Sequence, residues 1–342
     1  MRIAIDAREL HGRPTGVGRY LSGLLEAWKT LPSAAGHDFV LIAPDGPAGT
    51  VWEQFTLPRL IRGADADVFF APAYSGPALS PAPMVVAIHD VSFAAHPEWF
   101  GWREGVRRRT LTRLAATRAA RIVTISEFSR REIATRLGVS ETKIDVIYPA
   151  AAARGSRTDV ASREPLVLYV GSLFTRRHIP ELIRAFADVA RDRPDLRLEI
   201  VGDNRTTPRL DFDRMAAGSG AGDRIALRSY VPEDALSALY RRARAFVFLS
   251  EYEGFGLTPL EALAEGVPIV VLDTPVAREA YGDAALYVSQ PHPAAVASAL
   301  RRALFDDEER GRILEAARRL VPRYSWNACA DGVLRVLAGC AR

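Results

Sequence analysis

Two glutamates, Glu253 and Glu261, stand eight positions apart around a glycine-rich turn in the last third of the chain. The turn contains Gly254 and Gly256, which permit tight backbone geometry and leave the main chain open to a ligand. A carboxylate can accept hydrogen bonds from two adjacent hydroxyls at once, and sugars carry such hydroxyl pairs. The spacing therefore predicts a carboxylate pair that binds a nucleotide sugar. The alternative is two ordinary glutamates at a helix start and on a solvated helix face.

The neighbouring segments predict how these glutamates are positioned. Residues 244–249 form an apolar run typical of a buried strand, Pro259 fits an early helix position, and Gly266 ends the helix. The backbone N–H groups around Leu257 and Thr258 would point out of the helix start towards an anion. One glutamate is thus expected on the loop and the other within the helix that follows it.

The composition indicates a soluble globular protein. The chain has 342 residues, of which 48% are hydrophobic and 25% charged, and this length suits two domains. The net charge is +4 and the positive side chains are nearly all arginine, which gives no reason to expect a nucleic-acid partner. A strand begins at once after Met1, and no apolar run approaches the ~18 residues of a membrane span, so we expect a cytoplasmic protein.

Short apolar runs alternate with longer helical patterns, which predicts α/β domains with parallel sheets. Residues 150–164 lack apolar periodicity and predict a linker, so we expect one domain over residues 1–155 and a second over 156–324. Two Rossmann-like units would bind ligands at the carboxyl ends of their strands. The predicted strands are residues 2–6, 39–43, 68–71, 85–89, 122–125, 144–147, 166–170, 197–201, 225–228, 245–249 and 269–272.

Further blocks follow one another in a characteristic order and spacing. They are Thr15-Gly16-Val17-Gly18-Arg19-Tyr20, Ile88-His89-Asp90-Val91-Ser92-Phe93, Thr124-Ile125-Ser126-Glu127-Phe128-Ser129, Tyr169-Val170-Gly171-Ser172-Leu173 and Gly282-Asp283-Ala284-Ala285. With the glutamate pair, they make nearly the whole chain resemble the retaining GT-B glycosyltransferases of family 4, which carry an E-x7-E motif. Their order is most similar to that of bacterial mannosyl and rhamnosyl transferases. The resemblance implies two Rossmann-like domains facing across a cleft, with a C-terminal helix, residues 325–342, that crosses back to the first domain.

The resemblance implies roles for the second-domain residues. Glu261 would accept hydrogen bonds from ribose hydroxyls, and Glu253 would contact the donor sugar. The loop and helix start would hold the sugar and the diphosphate through backbone amides. That group comprises Gly254, Phe255, Gly256, Leu257 and Thr258. Thr258 stands where the family usually has proline, so its hydroxyl would either contact a phosphate or cap the helix. The base would meet backbone groups near Tyr230 and Val231.

A departing diphosphate needs cations or amides directed at it. Arg177 lies six positions after Gly171, where the family has its phosphate-binding lysine, and Arg176 precedes it. The alternative is two exposed arginines in an arginine-rich chain. Ser172 occupies a position where many relatives carry arginine, so we count it among the donor-binding residues while expecting one phosphate cation fewer.

His89 follows the apolar run Val85-Val86-Ala87-Ile88, and the family places a histidine there beside the donor sugar. It would polarise a sugar hydroxyl or orient the acceptor, whereas a structural histidine is the alternative. By the same resemblance, a loop containing Gly16 and Gly18 would lie against the diphosphate and acceptor. The family reaction is front-face attack assisted by the leaving phosphate. We expect no cofactor and no metal, because the histidines are scattered and Asp65-Ala66-Asp67 precedes a strand instead of following one.

The leading function is therefore retaining transfer of a hexose or deoxyhexose from a nucleotide-diphosphate sugar, with GDP-mannose as the first guess, to a glycan or lipid-linked acceptor. Two alternatives remain: a nucleotide-sugar 2-epimerase-like isomerase on the same scaffold, and a non-catalytic nucleotide- or glycan-binding relative. Aromatic residues 99–102 and the arginine-rich residues 103–121 suggest peripheral contact with the inner face of the membrane, or simply a solvated basic helix. The sequence does not predict an oligomeric state.

Overall fold

A computed structural model describes residues 1–11, 16–46, 49–150 and 163–342. The chain divides into two compact units. The first is Met1–Ala150 with Tyr324–Arg342, and the second comprises the described residues of Ala151–Arg323. The predicted linker and the boundary at residue 155 fall largely or wholly outside the described residues, as does Thr15.

Across its described residues, the first unit has a six-stranded parallel sheet with strand order β2-β1-β3-β4-β5-β6. Its strands are β1 (Arg2–Asp6), β2 (Asp38–Ile42), β3 (Val68–Ala71), β4 (Met84–Ala87), β5 (Arg121–Thr124) and β6 (Ile144–Val146). Its helices are α1 (Gly16–Trp28), α2 (Leu57–Gly63), α3 (Ser92–Ala95), α4 (Trp102–Arg118) and α5 (Glu127–Leu137). Every residue of β3 and β4 is buried, which explains why these strands read as continuous apolar runs instead of alternating ones.

The second unit repeats this architecture, with strand order β12-β11-β10-β7-β8-β9 in a parallel sheet of six strands over residues 163–323. Its strands are β7 (Leu166–Val170), β8 (Arg197–Val201), β9 (Ile225–Arg228), β10 (Ala245–Phe248), β11 (Ile269–Leu272) and β12 (Leu286–Val288). Its helices are α6 (Ile179–Ala190), α7 (Phe212–Ala217), α8 (Glu233–Arg242), α9 (Leu257–Ala264), α10 (Pro275–Tyr281), α11 (Pro293–Phe305) and α12 (Asp307–Leu320).

The last helix, α13 (Trp326–Cys340), belongs to the first unit, where it packs along α1. The indole Nε1 of Trp28 donates to the carbonyl of Ala330 at 3.0 Å. Gly23 of α1 faces Trp326, and a Cβ at this glycine would lie 2.5 Å from the indole ring. The pairing of the two helices therefore depends on a small residue at this crossing.

The predicted fold class is confirmed, and the predicted strands are present with ends within two residues of those expected. The structure adds β12, which the sequence did not predict. Within the described part of the chain, every helix is too short or too polar to cross a membrane.

Candidate functional site

The strand order of the second unit determines where a ligand can bind. From β7 the chain runs outwards through β8 and β9, and then returns to place β10 on the other side of β7. Ala245 of β10 pairs with Val167 of β7, so the loops that follow these strands leave the sheet side by side. Ligands of open parallel sheets bind at such a reversal of strand order. Gly171 follows one of these strands and Ser250 follows the other.

An ion pair joins the two loops at this point. Arg177 donates from Nε and Nη2 to Oε1 of Glu253, at 2.9 Å and 2.7 Å. Ser250 Oγ donates to the same oxygen at 2.7 Å. All three hydrogen bonds go to Oε1, and Oε2 has no partner among the residues that the structure describes. The two catalytic residues predicted in this unit are therefore in direct contact, with one carboxylate oxygen available to a ligand.

The guanidinium of Arg177 is held from several sides. Its Nη1 donates to the carbonyl of Ser172 at 2.8 Å, and its plane lies 4.8 Å from the ring centroid of Phe248. Gly171 has φ +148°, and a Cβ there would lie 2.7 Å from Nη1, so glycine is required for the guanidinium to occupy this position. Burial lowers the pKa of Arg177, but the charges of Glu253 and Tyr169 and the hydrogen bonds to them together outweigh burial and leave that pKa above its ordinary value.

The loop before α9 is fixed by a tyrosine. Tyr281 donates its hydroxyl to the carbonyl of Gly256 at 2.7 Å. Gly256 has φ +91° and precedes the first residue of α9, Leu257, and no side chain caps this helix start. Thr258 lies inside the first turn, so the alternative that it caps the helix is wrong. The uncapped first turn leaves backbone N–H groups for an anion.

Glu261 lies on the buried side of α9 and is 3% exposed. Tyr240 of α8 donates its hydroxyl to Oε2 of Glu261 at 3.0 Å. Tyr240 is completely buried. The second glutamate of the pair is therefore oriented by a neighbouring helix, whereas Glu253 is oriented by Arg177 and Ser250.

The remaining residues predicted for the second unit lie around this centre. Arg176 places its guanidinium 4.2 Å from the ring centroid of Phe174. Tyr230 and Val231 lie in the loop between β9 and α8, where Tyr230 is 53% exposed. Phe255 is buried next to Gly254 on the loop that follows β10. All of these loops leave the sheet at its carboxyl edge.

The residues predicted in the first unit lie at two places. His89 comes two residues after β4 and is buried, with its Nε2 donating to the carbonyl of Pro72 at 2.9 Å. Its ring packs edge-on against Tyr20 of α1 at 4.8 Å between centroids. Gly16 and Gly18 lie in the first turn of α1, so the expectation that they form a loop is wrong.

The burial of His89 predicts a dependence of stability on pH. Burial lowers the pKa of His89 below its ordinary value of about 6.5. Below that pH the unfolded chain binds a proton that the folded chain does not, so the free energy of unfolding should fall as the pH falls. Urea unfolding at pH 7.5 and 5.5 should show a smaller loss in His89→Gln than in the wild type. An identical loss in both would contradict this account.

Three residues that position the site were not predicted from the sequence. They are Ser250, Tyr240 and Tyr281, which hold Glu253, Glu261 and the loop carbonyl of Gly256. Ser250 and Tyr281 adjoin blocks that had been singled out, so their position in the chain was a usable signal. Tyr240 lies in an ordinary amphipathic helix and carried no such signal.

Known protein families match both units of the chain. The family described as Glycosyl transferases group 1 matches residues 156–320, and Glycosyltransferase Family 4 matches residues 32–152. Together the two family models match most of the chain, which therefore belongs to the GT-B glycosyltransferases of the family 4 type, as its sequence had suggested.

Among curated relatives, the chain is 28% identical over 204 residues to the O-antigen chain mannosyltransferase RfbU of Salmonella typhimurium, covering 60% of this chain and 56% of that protein. It is 28% identical over 253 residues to the GDP-mannose:cellobiosyl-diphosphopolyprenol alpha-mannosyltransferase of Xanthomonas oryzae pv. oryzae, covering 71% and 64%. The match thus spans less than two thirds of each of these two relatives.

Solved structures show the same fold. A sucrose-phosphate synthase from Thermosynechococcus elongatus superposes with a TM-score of 0.77 at 19% identity, covering 99% of this chain and 98% of that one. Anabaena HepE in complex with UDP-glucose gives a TM-score of 0.76 at 17% identity, covering 99% and 100%. At these identities the likeness establishes the fold and nothing more.

Proposed function

We propose that the chain transfers a hexose or deoxyhexose from a nucleotide-diphosphate sugar to a glycan or lipid-linked acceptor, with retention of the anomeric configuration. The observation that supports this most is the Arg177–Glu253 pair, which lies at the reversal of strand order beside the uncapped start of α9. A cation, a carboxylate oxygen and backbone N–H groups are the three kinds of group that a sugar diphosphate needs.

Each group has a separate task in the proposed reaction. Arg177 and the first turn of α9 stabilise the negative charge that develops on the diphosphate as the bond from C1 to the phosphate oxygen breaks. Oε2 of Glu253 accepts hydrogen bonds from sugar hydroxyls, and Glu261 binds the ribose. The acceptor oxygen bonds to C1 on the face that the diphosphate leaves, and its proton passes to the departing phosphate oxygen. This chemistry uses no metal.

GDP-mannose is the first donor that we propose. The relative from Xanthomonas oryzae pv. oryzae is named for transfer from GDP-mannose to a diphosphopolyprenol-linked acceptor, and the relative from Salmonella typhimurium is named as a mannosyltransferase. These names support mannose as the transferred sugar and a lipid-linked glycan as the acceptor class.

A panel of nucleotide sugars tests this proposal. GDP-mannose, UDP-glucose, UDP-N-acetylglucosamine and dTDP-rhamnose would each be incubated with the protein, and nucleoside diphosphate release and thermal stabilisation would be measured. We expect GDP-mannose to give the largest values of both. The Glu261→Ala variant should lose most of the thermal stabilisation, which shows that the stabilisation comes from binding at this site. Absence of release and of stabilisation with every donor would contradict the proposal.

We also propose that the first unit contacts the membrane surface where a lipid-linked acceptor would lie. In α4, Trp102 is 77% exposed and is followed by Arg103 and Arg107. A second surface is formed by residues 51–62, in which Val51 and Phe55 are 73% and 65% exposed. Exposed apolar side chains next to arginines favour an anionic interface.

Sedimentation with vesicles tests the membrane contact. The wild type should sediment with phosphatidylglycerol vesicles more than with phosphatidylcholine vesicles, and added salt should reduce the difference. Replacing Val51 and Phe55 with serine, or Trp102 with serine, should lower binding and identify which surface is used. Phe305→Ser, at an exposed aromatic residue of the second unit, serves as the control for loss of an exposed apolar side chain. Equal sedimentation with both lipids would count against the contact.

A further inference from the structure

Arg163 is the first residue that the structure describes after Ala150. It belongs to the second unit and is 5% exposed. Its Nη1 donates to the carbonyls of Tyr240, Arg241 and Ala243, each at 3.0 Å. These carbonyls lie at the C-terminal end of α8 and just after it, where a helix leaves carbonyls to be bonded from outside. Its Nη2 donates to the carbonyl of Glu265, at the C-terminal end of α9. One guanidinium thus holds the ends of two helices.

The residues around Arg163 also contribute to the contact between the chain and the ends of these two helices. Gly266 follows α9 with φ +76°, a conformation that favours glycine, and a Cβ there would come into van der Waals contact with Nη2 at 3.4 Å. The next residue, Glu164, pairs with Arg242 at 2.7 Å, and its N–H donates to the carbonyl of Arg242 at 3.0 Å. Two consecutive residues of the chain therefore fasten the end of α8, and the first of them also fastens α9.

The opposite ends of the same two helices carry the donor-site loops. Val231 lies two residues before the start of α8, and Gly256 directly before the start of α9. At 1.5 Å per residue these helices are about 15 Å and 12 Å long, so a small tilt about their C-terminal ends displaces the loops by an ångström or more. Tyr240, in the last turn of α8, also joins the two helices, because its hydroxyl donates to Glu261 in the middle of α9 while its carbonyl accepts from Arg163.

We propose that Arg163 is a positioning residue for the donor site. By holding the C-terminal ends of α8 and α9 together, it sets the spacing between the loop expected to meet the base and the loop that binds the diphosphate and sugar. It also fixes Tyr240, and through Tyr240 it orients Glu261. This inference rests on the proposed function, since it assigns both loops to one nucleotide sugar.

A matched pair of variants separates positioning from general stabilisation. Arg310 is also a buried arginine of the second unit, and its Nη1 donates to the carbonyl of Leu304 at 2.8 Å, near the end of α11. That helix carries none of the donor-site loops. Arg163→Gln and Arg310→Gln should both lower the unfolding temperature. Only Arg163→Gln should raise the Kd of GDP or UDP, by about tenfold, because a displacement of about 1 Å is costly in a binding site.

Isothermal titration calorimetry with GDP and with UDP gives the Kd values, and circular dichroism gives the unfolding temperatures. A Kd for Arg163→Gln within about twofold of that for Arg310→Gln would overturn the inference. If Arg163→Gln does not fold, Arg163→Lys decides, because one ammonium can reach the carbonyls of α8 or of α9 but not both. Its Kd should then exceed that of the wild type by about threefold or more, and an unchanged Kd would overturn the inference. Failure of the wild type to bind either nucleotide would instead overturn the proposed function, and this inference with it.

Discussion

Replacing Arg177 with glutamine should lower kcat for sugar transfer by about 100- to 1,000-fold, the range typical for removing one group that stabilises developing negative charge. The side chain is largely buried, contacts Glu253 through two of its nitrogens and lies 4.8 Å from the ring of Phe248. Glutamine removes the charge next to the diphosphate and also leaves Glu253 without its cation. Both effects raise the barrier for departure of the nucleotide.

Arg176→Gln provides the matched control for Arg177→Gln. It removes the same charge one position earlier, from a guanidinium that lies over the ring of Phe174 and does not pair with Glu253. Rates of nucleoside diphosphate release at saturating donor should fall by less than about tenfold in this control. Similar rates in both variants would mean that the position of Arg177 has no special role.

Replacing Gly256 with alanine should reduce donor binding and turnover together, by about 100-fold. A Cβ at this position would lie 2.1 Å from the hydroxyl oxygen of Tyr281, and φ is +91°, which an L-residue adopts at a cost of about 1–2 kcal/mol. The loop that leads into α9 would have to move. It would take with it Glu253 and the first turn of α9.

Two further variants separate the causes of the Gly256→Ala effect. Gly138 of the first unit has φ +69°, and a Cβ there would meet only Arg113 Nη2 at 3.8 Å, so Gly138→Ala introduces backbone strain without a clash. It should lower the unfolding temperature but leave donor KM unchanged. Adding Tyr281→Phe to Gly256→Ala removes the clashing oxygen and should restore part of the activity. A double variant no more active than Gly256→Ala would show that strain, and not the clash, causes the loss.

Much of the second unit was predictable because its chemistry lies next to its strands. The apolar run of residues 244–249 predicted β10. Gly171 marked the turn at the end of β7, and Gly256 marked the turn before α9. Arg177 and Glu253 could be named individually because each follows a strand by a short loop and stands where the family resemblance implies a phosphate-binding cation and a sugar-binding carboxylate. Their contact was not predictable, since residues 76 positions apart meet only through the pairing of β7 with β10.

The supporting contacts could not be predicted, and the reason is physical. Tyr240 joins α8 to α9, Tyr281 joins α10 to the loop before α9, and Arg163 joins the ends of α8 and α9; no local pattern encodes which of these elements become neighbours. The three-residue strand β12 was missed because it is too short to show periodicity. The helical start of α1 at Gly16 overrode the expectation of a glycine loop, because α1 buries Tyr20, Leu24 and Trp28 along one face and this burial outweighs the low helix propensity of glycine.

In the proposed reaction the two glutamates have different tasks: Glu261 binds the nucleotide, and Glu253 binds the transferred sugar. Calorimetric titration of GDP onto the wild type, Glu253→Ala and Glu261→Ala tests this assignment most directly, with kcat measured on the same samples. The account predicts that Glu261→Ala raises the Kd of GDP by about tenfold, as expected for a lost hydrogen bond to a charged group. It predicts a nearly unchanged Kd and a strongly reduced kcat for Glu253→Ala. Wild-type kcat in Glu253→Ala, or an unchanged Kd in Glu261→Ala, would contradict it.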